Sequence, residues 1–228
     1  MVSVNGRINL GDQDQVSAIL TGPNRTSETS KPGLIIAHGA GNDMHNPLIV
    51  SLAEGLARAG NVTLRFNFPY KEKGKKSPDV QAKLVHTWQC AYEYLQHNQK
   101  FPVRRIIAVG KSMGGRVASQ MVADGLMDVA GLIFLGYPLH APGKKDHLRD
   151  AHLYRINVPM LFFAGTKDPL CDVGKLNKVL DNLPCPHDLV PIHGGNHSFK
   201  LPKTCSRSDT DVHRQILEKC VSWLGQLE

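Results

Sequence analysis

The sequence predicts an α/β domain built on a mostly parallel, twisted sheet with helices on both faces. From residue 33 onward, short apolar runs alternate with amphipathic stretches at helical spacing, as strands joined by helical crossovers do. Those runs are apolar throughout rather than every second residue, the pattern of strands covered on both sides. One of them, Ile106-Ile107-Ala108-Val109, leads through Gly110-Lys111-Ser112-Met113-Gly114 directly into a helix carrying Val117, Met121 and Val122.

Taken in order, residues 3–10 and 15–20 read as two strands joined by a turn at 11–14. With no helix between them, they are expected to form an antiparallel edge. Residues 22–32 are a polar connection short enough to be a loop. Residues 33–37 form a buried strand that ends in His38-Gly39-Ala40-Gly41-Asn42. A helix over 47–59 follows, with Leu48, Leu52, Leu56 and Ala59 inward and Gly60 as its stop. Residues 61–68 make the next strand, closed by Pro69 and a basic loop.

Ser77-Pro78-Asp79 is the expected start of a long helix reaching about residue 98, with Leu84, Trp88, Ala91, Tyr92 and Leu95 inward. After the strand at 106–109 and its helix, strands are expected over 130–137 and 159–164. A helix over 173–183, a last strand over 187–192 and a closing helix over 211–227 complete the chain. The closing helix buries Val212, Ile216, Cys220, Trp223 and Leu227. At 228 residues the whole of 1–228 is expected to form one domain with a substantial core.

The formal charge of +7 raises the question of nucleic acid. The basic residues are dispersed, apart from clusters at 71–76 and at Lys144-Lys145, and only Tyr70 adds an aromatic beside them. Solvated loops explain these clusters, and no nucleic-acid interface is expected. No run approaches the roughly 18 apolar residues of a membrane span, and residues 1–13 lack the apolar stretch of a signal peptide. The expectation is a soluble intracellular protein, cytoplasmic or nuclear, that does not enter membranes. The five cysteines are scattered, with no C-x-x-C pair, which suits reduced thiols. The sequons at Asn24, Asn61 and Asn196 are then unused.

Gly110-x-Ser112-x-Gly114 has the pattern of a nucleophile elbow, a sharp strand-to-helix turn that lifts a serine hydroxyl above the sheet. From composition alone, a chance match somewhere in the chain is roughly a one-in-ten event, so the strand–turn–helix context carries the inference. A phosphate-binding loop would need glycine five residues before Gly110, and Arg105 stands there.

A serine nucleophile needs a base, and the base needs a carboxylate to hold its tautomer. In open α/β sheets the functional groups gather beyond the carboxyl ends of the strands. Two such ends follow the elbow, 163–169 with Asp168 and 191–199 with His197. Ser112, Asp168 and His197 are therefore the candidate triad, with Gly110 and Gly114 as the elbow glycines. Taken alone, Asp168 also fits a turn former before Pro169. Asp172 is better placed to cap the helix at 173, and His193, at the strand end, is expected to be structural. Lys111 is expected to be solvated. Backbone N–H groups should hold a developing oxyanion. Met113 supplies one, and Ala40 supplies the other, with Gly41 as the alternative.

His38-Gly39-Ala40-Gly41-Asn42-Asp43-Met44 together with Gly110-Lys111-Ser112-Met113-Gly114-Gly115-Arg116 resembles the dienelactone-hydrolase-like group of α/β hydrolases. More narrowly, the chain is similar to a family of testis-expressed hydrolase-like proteins and to the hydrolase-like domain of a subunit of the NSL histone-acetyltransferase complex. The resemblance runs from Gly33 to the end. It implies the α/β-hydrolase fold of about eight strands and places the group's triad on Ser112, Asp168 and His197. Residues 138–157 leave no room for a large lid, so the site should be open and suit small or accessible substrates.

These readings together point to a serine hydrolase acting on a carboxylic ester or thioester, with a small-molecule substrate as partner and no cofactor or metal. The alternative is a catalytically silent hydrolase fold used as a binding or scaffold subunit, whose partner would be a protein.

Overall fold

The computed structural model describes residues 1–11, 13–24 and 31–227. The turn expected at 11–14 and the connection at 22–32 therefore lie partly outside the described residues. The elements are β1 (Val2–Asn9), β2 (Gln15–Gly22), β3 (Gly33–Ala37), α1 (Pro47–Arg58), β4 (Val62–Phe66), α2 (Pro69–Glu72), α3 (Gln81–Gln96), β5 (Ile106–Lys111), α4 (Met113–Ala123), β6 (Gly131–Leu135), a 3₁₀ turn (Leu153–Arg155), β7 (Met160–Gly165), α5 (Val173–Leu180), β8 (His187–Ile192) and α6 (Asp209–Gly225).

One eight-stranded sheet runs in the order β1-β2-β4-β3-β5-β6-β7-β8. β1 pairs antiparallel with β2, and β2 antiparallel with β4. All other neighbours are parallel. This is the mostly parallel sheet with an antiparallel edge that the helix-free N-terminal strands imply.

Strands β3 to β7 are buried along their whole length, because alternate residues feed two separate cores. Ile35, Ala108, Leu132, Phe134 and Phe162 face one side, where Leu84, Trp88 and Leu95 of α3, Val117 and Met121 of α4, and Leu176 of α5 cover them. Leu34, Ile36, Val109, Ile133 and Phe163 face the other, covered by Leu48, Leu52 and Leu56 of α1 and by Val212, Ile216 and Trp223 of α6. The register aligns Ala37 with Gly110, Lys111 with Leu135, and Gly165 with Ile192. The carboxyl ends of β3, β5, β6, β7 and β8 thus form a common rim.

Several boundaries differ from expectation, each for a physical reason. Residues 67–68 leave the sheet because both are drawn to the β3 rim. Asn67 Oδ1 accepts from the Met44 N–H at 2.8 Å, and the Phe68 N–H donates to His38. Part of the expected basic loop is the one-turn helix α2. Asp79, read as part of a helix start at residue 77, instead accepts the Tyr70 N–H of α2 at 2.8 Å, and α3 begins at Gln81. α6 starts at Asp209, ahead of the expected 211, because Ser208 and Asp211 close a capping box. No described helix is long and apolar enough to cross a membrane.

Trp88 fills the larger core, fully buried, with its ring 5.4 Å from that of Phe66 in an edge-to-face arrangement. Trp88→Ala leaves a large cavity and should cost about 3–5 kcal/mol, read as a lower urea midpoint at unchanged m-value.

Candidate active site

β5 passes into α4 through Ser112 alone, at φ 50° and ψ −113°. A non-glycine residue there stores strain of about 1–3 kcal/mol. The residues two positions either side must be glycine because backbone meets backbone at both. A Cβ on Gly110 would lie 2.0 Å from the Gly115 nitrogen, and one on Gly114 would lie 2.7 Å from the His38 carbonyl oxygen. Nothing flexible could yield at either contact.

The second side chain comes from the loop after β8. That loop turns back through Gly194 at φ 76° and lies directly on the end of β7. A Cβ on Gly165 would be 2.3 Å from the Gly195 carbonyl oxygen. Asn196 stiffens the turn, its Oδ1 accepting from the Ser198 N–H at 2.9 Å and from the Lys200 N–H at 3.1 Å. His197 is thereby aimed at the elbow, with Nε2 2.8 Å from Ser112 Oγ and Nδ1 2.7 Å from Asp168 Oδ2.

The Asp168 side chain is fully buried. Its two oxygens divide the work, since Oδ1 accepts from the Leu170 N–H at 2.7 Å and Oδ2 accepts from His197. Asp168 is thus both the turn former and the partner of His197. With Nδ1–H committed to a carboxylate, Nε2 is left as an acceptor for the Ser112 hydroxyl. Chemically this is a hydroxyl beside a base whose tautomer is fixed.

The loop after β3 is organised by His38, which is fully buried. Its Nε2 accepts from the Phe68 N–H at 3.1 Å, so Nδ1 carries the hydrogen and donates to the Gly39 carbonyl at 2.9 Å. Tyr70 donates to the same carbonyl at 3.3 Å. In a trans peptide the N–H points opposite the C=O, so holding the Gly39 carbonyl on this side turns the Ala40 N–H to the other. That N–H has no hydrogen-bond partner among the described residues. The loop abuts the elbow, where a Cβ on Gly39 would meet that of Ser112 at 3.3 Å.

The sequence-derived residues therefore converge. Ser112, Asp168 and His197 are joined by hydrogen bonds, and Ala40 and Met113 belong to the two segments flanking Ser112. Asp172 caps α5 through the Lys175 N–H at 3.0 Å, as its spacing suggests. Two expectations need correction. His193 is exposed rather than structural, because the chain turns away from the sheet directly after Ile192. Lys111 is not solvated but 4% exposed, because β5 runs two residues beyond 109 and its last side chain is still roofed by neighbouring loops. Strand continuity through the elbow was the signal for this. Tyr70 was read only as a neighbour of the basic loop. Its role follows from α2, which no pattern announced.

In place of a lid, the connection over 136–159 is tied down behind α4. Ser119 Oγ lies 2.8 Å from His152 Nε2, and Tyr137 donates to the Arg149 carbonyl at 2.5 Å.

Burial pushes the His38 pKa down to about 4, against the ordinary 6.5. The unfolded chain then binds a proton below pH 6.5 that the folded one refuses. Stability is thus complete above about pH 6.5 and falls as the pH drops toward 4, by roughly 3 kcal/mol from this group. Burial moves His152 the same way. Urea denaturation across pH 4–7 should show this slope, and His38→Gln should flatten it.

Comparison with known proteins agrees with this architecture. The family model described as an alpha/beta hydrolase domain matches residues 30–225. Among solved structures, a dienelactone hydrolase of Anabaena variabilis is similar at 19% identity and TM-score 0.77, covering 99% of this chain and 97% of that one. Est1E of Butyrivibrio proteoclasticus is similar at 16% identity and TM-score 0.74, with 98% of each chain covered. A serine hydrolase without lid from Xanthomonas campestris is similar at 19% identity and TM-score 0.71, covering 97% of this chain and 94% of that one.

Proposed function

The chain belongs to the alpha/beta hydrolase domain family, and from that premise we propose that it is a serine hydrolase cleaving a carboxylic ester or thioester. The observation that carries this reading is the unbroken line from Asp168 Oδ2 through the His197 ring to Ser112 Oγ, with steps of 2.7 and 2.8 Å.

In the proposed reaction Ser112 Oγ attacks the substrate carbonyl carbon while His197 Nε2 takes its proton. Asp168 stabilises the imidazolium so formed. The carbonyl oxygen becomes an oxyanion held by the Met113 and Ala40 N–H groups. Ala40 is preferred to Gly41 because the Gly39 carbonyl, held by His38 and Tyr70, turns the Ala40 N–H away from both. His197 returns its proton to the departing alcohol or thiol, leaving an acyl group on Ser112. Water, deprotonated by His197, then attacks the acyl carbon and frees the serine.

A small or accessible substrate fits the tied-down connection over 136–159. It also fits a cavity of about 370 Å³ of mixed lining, with Asn42, Asn46 and Ser198 beside Pro47, Leu48 and Phe199. That cavity borders both the loop after β3 and the residue after His197.

The test is labelling by a fluorophosphonate probe together with turnover of p-nitrophenyl acetate. Wild type should label, and Ser112→Ala and His197→Ala should not. Turnover should drop about 10⁶-fold for Ser112→Ala and about 10⁴-fold for Asp168→Asn. A folded wild type that neither labels nor turns over would overturn the hydrolase reading and leave the fold as a binding or scaffold module.

A further inference from the structure

Lys111 is the residue between Gly110 and Ser112, and the chemistry proposed above does not use it. Its side chain runs through the rim beneath the loops. A Cβ on Gly39 would lie 3.4 Å from its Cγ, and a Cβ on Gly136 would lie 3.2 Å from its Nζ. The Nζ donates to the backbone carbonyl of His197 and sits 5.2 Å from the centre of the Phe199 ring. Phe199 itself has a positive φ of 62°, so the chain just after His197 is held in a conformation it would not choose alone.

An ammonium in such a place costs stability. Burial pushes its pKa down to about 8, and Asp168 offsets this only in part. Among the described residues it makes one hydrogen bond and no ion pair. A methionine of similar length would fill the space without burying charge. Core packing therefore does not account for a lysine here, whereas its contact with the backbone of His197 does.

We propose that Lys111 is a positioning residue that clamps the His197 carbonyl and so holds the imidazole against the Ser112 hydroxyl. The clamp and the nucleophile are adjacent residues of one strand end. The histidine loop follows β8, three strands away from β5 in the sheet, with no covalent tie to the elbow. The hydrogen bond from Nζ, reinforced by the Phe199 ring over the cation, supplies that tie. This inference rests on the serine-hydrolase reading of the site.

The experiment compares wild type, Lys111→Met, Lys111→Gln and Ser112→Ala by fluorophosphonate labelling rate, by kcat and KM on p-nitrophenyl acetate, and by thermal midpoint. Lys111→Met should keep or raise the midpoint and leave KM within about twofold. Its kcat and labelling rate should fall on the order of ten- to a hundredfold, the scale of a catalytic group displaced by about an ångström. Lys111→Gln, a shorter neutral donor, should recover part of that loss. Wild-type rates in Lys111→Met, or a loss of rate that only tracks a lowered midpoint, would overturn the proposal. Should Lys111→Met not fold, Lys111→Gln carries the test, with wild-type rates or a loss that only tracks its midpoint as the refuting result. If wild type itself fails to label, the hydrolase reading fails and the clamp falls with it. If wild type labels and Ser112→Ala does not, any failure belongs to Lys111 alone.

Discussion

Where β5 gives way to α4, a methyl group on Gly110 would sit 2.0 Å from the Gly115 nitrogen. That backbone-to-backbone approach sets the geometry of the whole rim. It forces the reversal to be completed within one residue, so Ser112 takes a strained conformation. It also draws the first turn of α4 against the end of β3, where Gly114 lies under the His38 and Ala37 carbonyls. The loop after β3 is thereby brought alongside Ser112. The loop after β8 obeys a similar constraint one layer over, since Gly165 admits the Gly195 backbone where any side chain would exclude it.

His38 and Asp168, buried at this rim, are each committed to partners. His38 cannot take a second proton without losing the Phe68 N–H that it accepts. Asp168 spends one oxygen on its own turn and the other on His197, so the carboxylate cannot rotate freely. Such groups need no reorganisation when charge develops beside them. Lys111 is the exception, a cation with little compensation in its surroundings.

Much of this was legible in the sequence. Parallel strands covered on both faces announce themselves as apolar runs, and 106–109, 130–137 and 159–164 all read so. Residues placed just after such runs converge in space because parallel strands end on one edge, which is why Ser112, Asp168 and His197 could be picked out across 85 residues of separation. What stayed hidden depends on contacts between distant segments. Asp79 looks like a helix start until Tyr70 claims its carboxylate. Lys111 looks solvated because lysine usually is, and only the neighbouring strands and loops show that it is almost wholly shielded from water. Tyr70 gained its place from a single helical turn too short to leave a periodic trace.

The connection over 136–159, held down by Ser119, Tyr137 and His152, leaves the rim without a gate. A gated enzyme spends part of each cycle opening and closing, and its barrier also rations water. Here, under the proposed chemistry, solvent reaches a serine-bound acyl group as readily as substrate reaches the serine. Under that chemistry the intermediate stands open to water, the acceptor present in greatest excess, and hydrolysis is its expected fate.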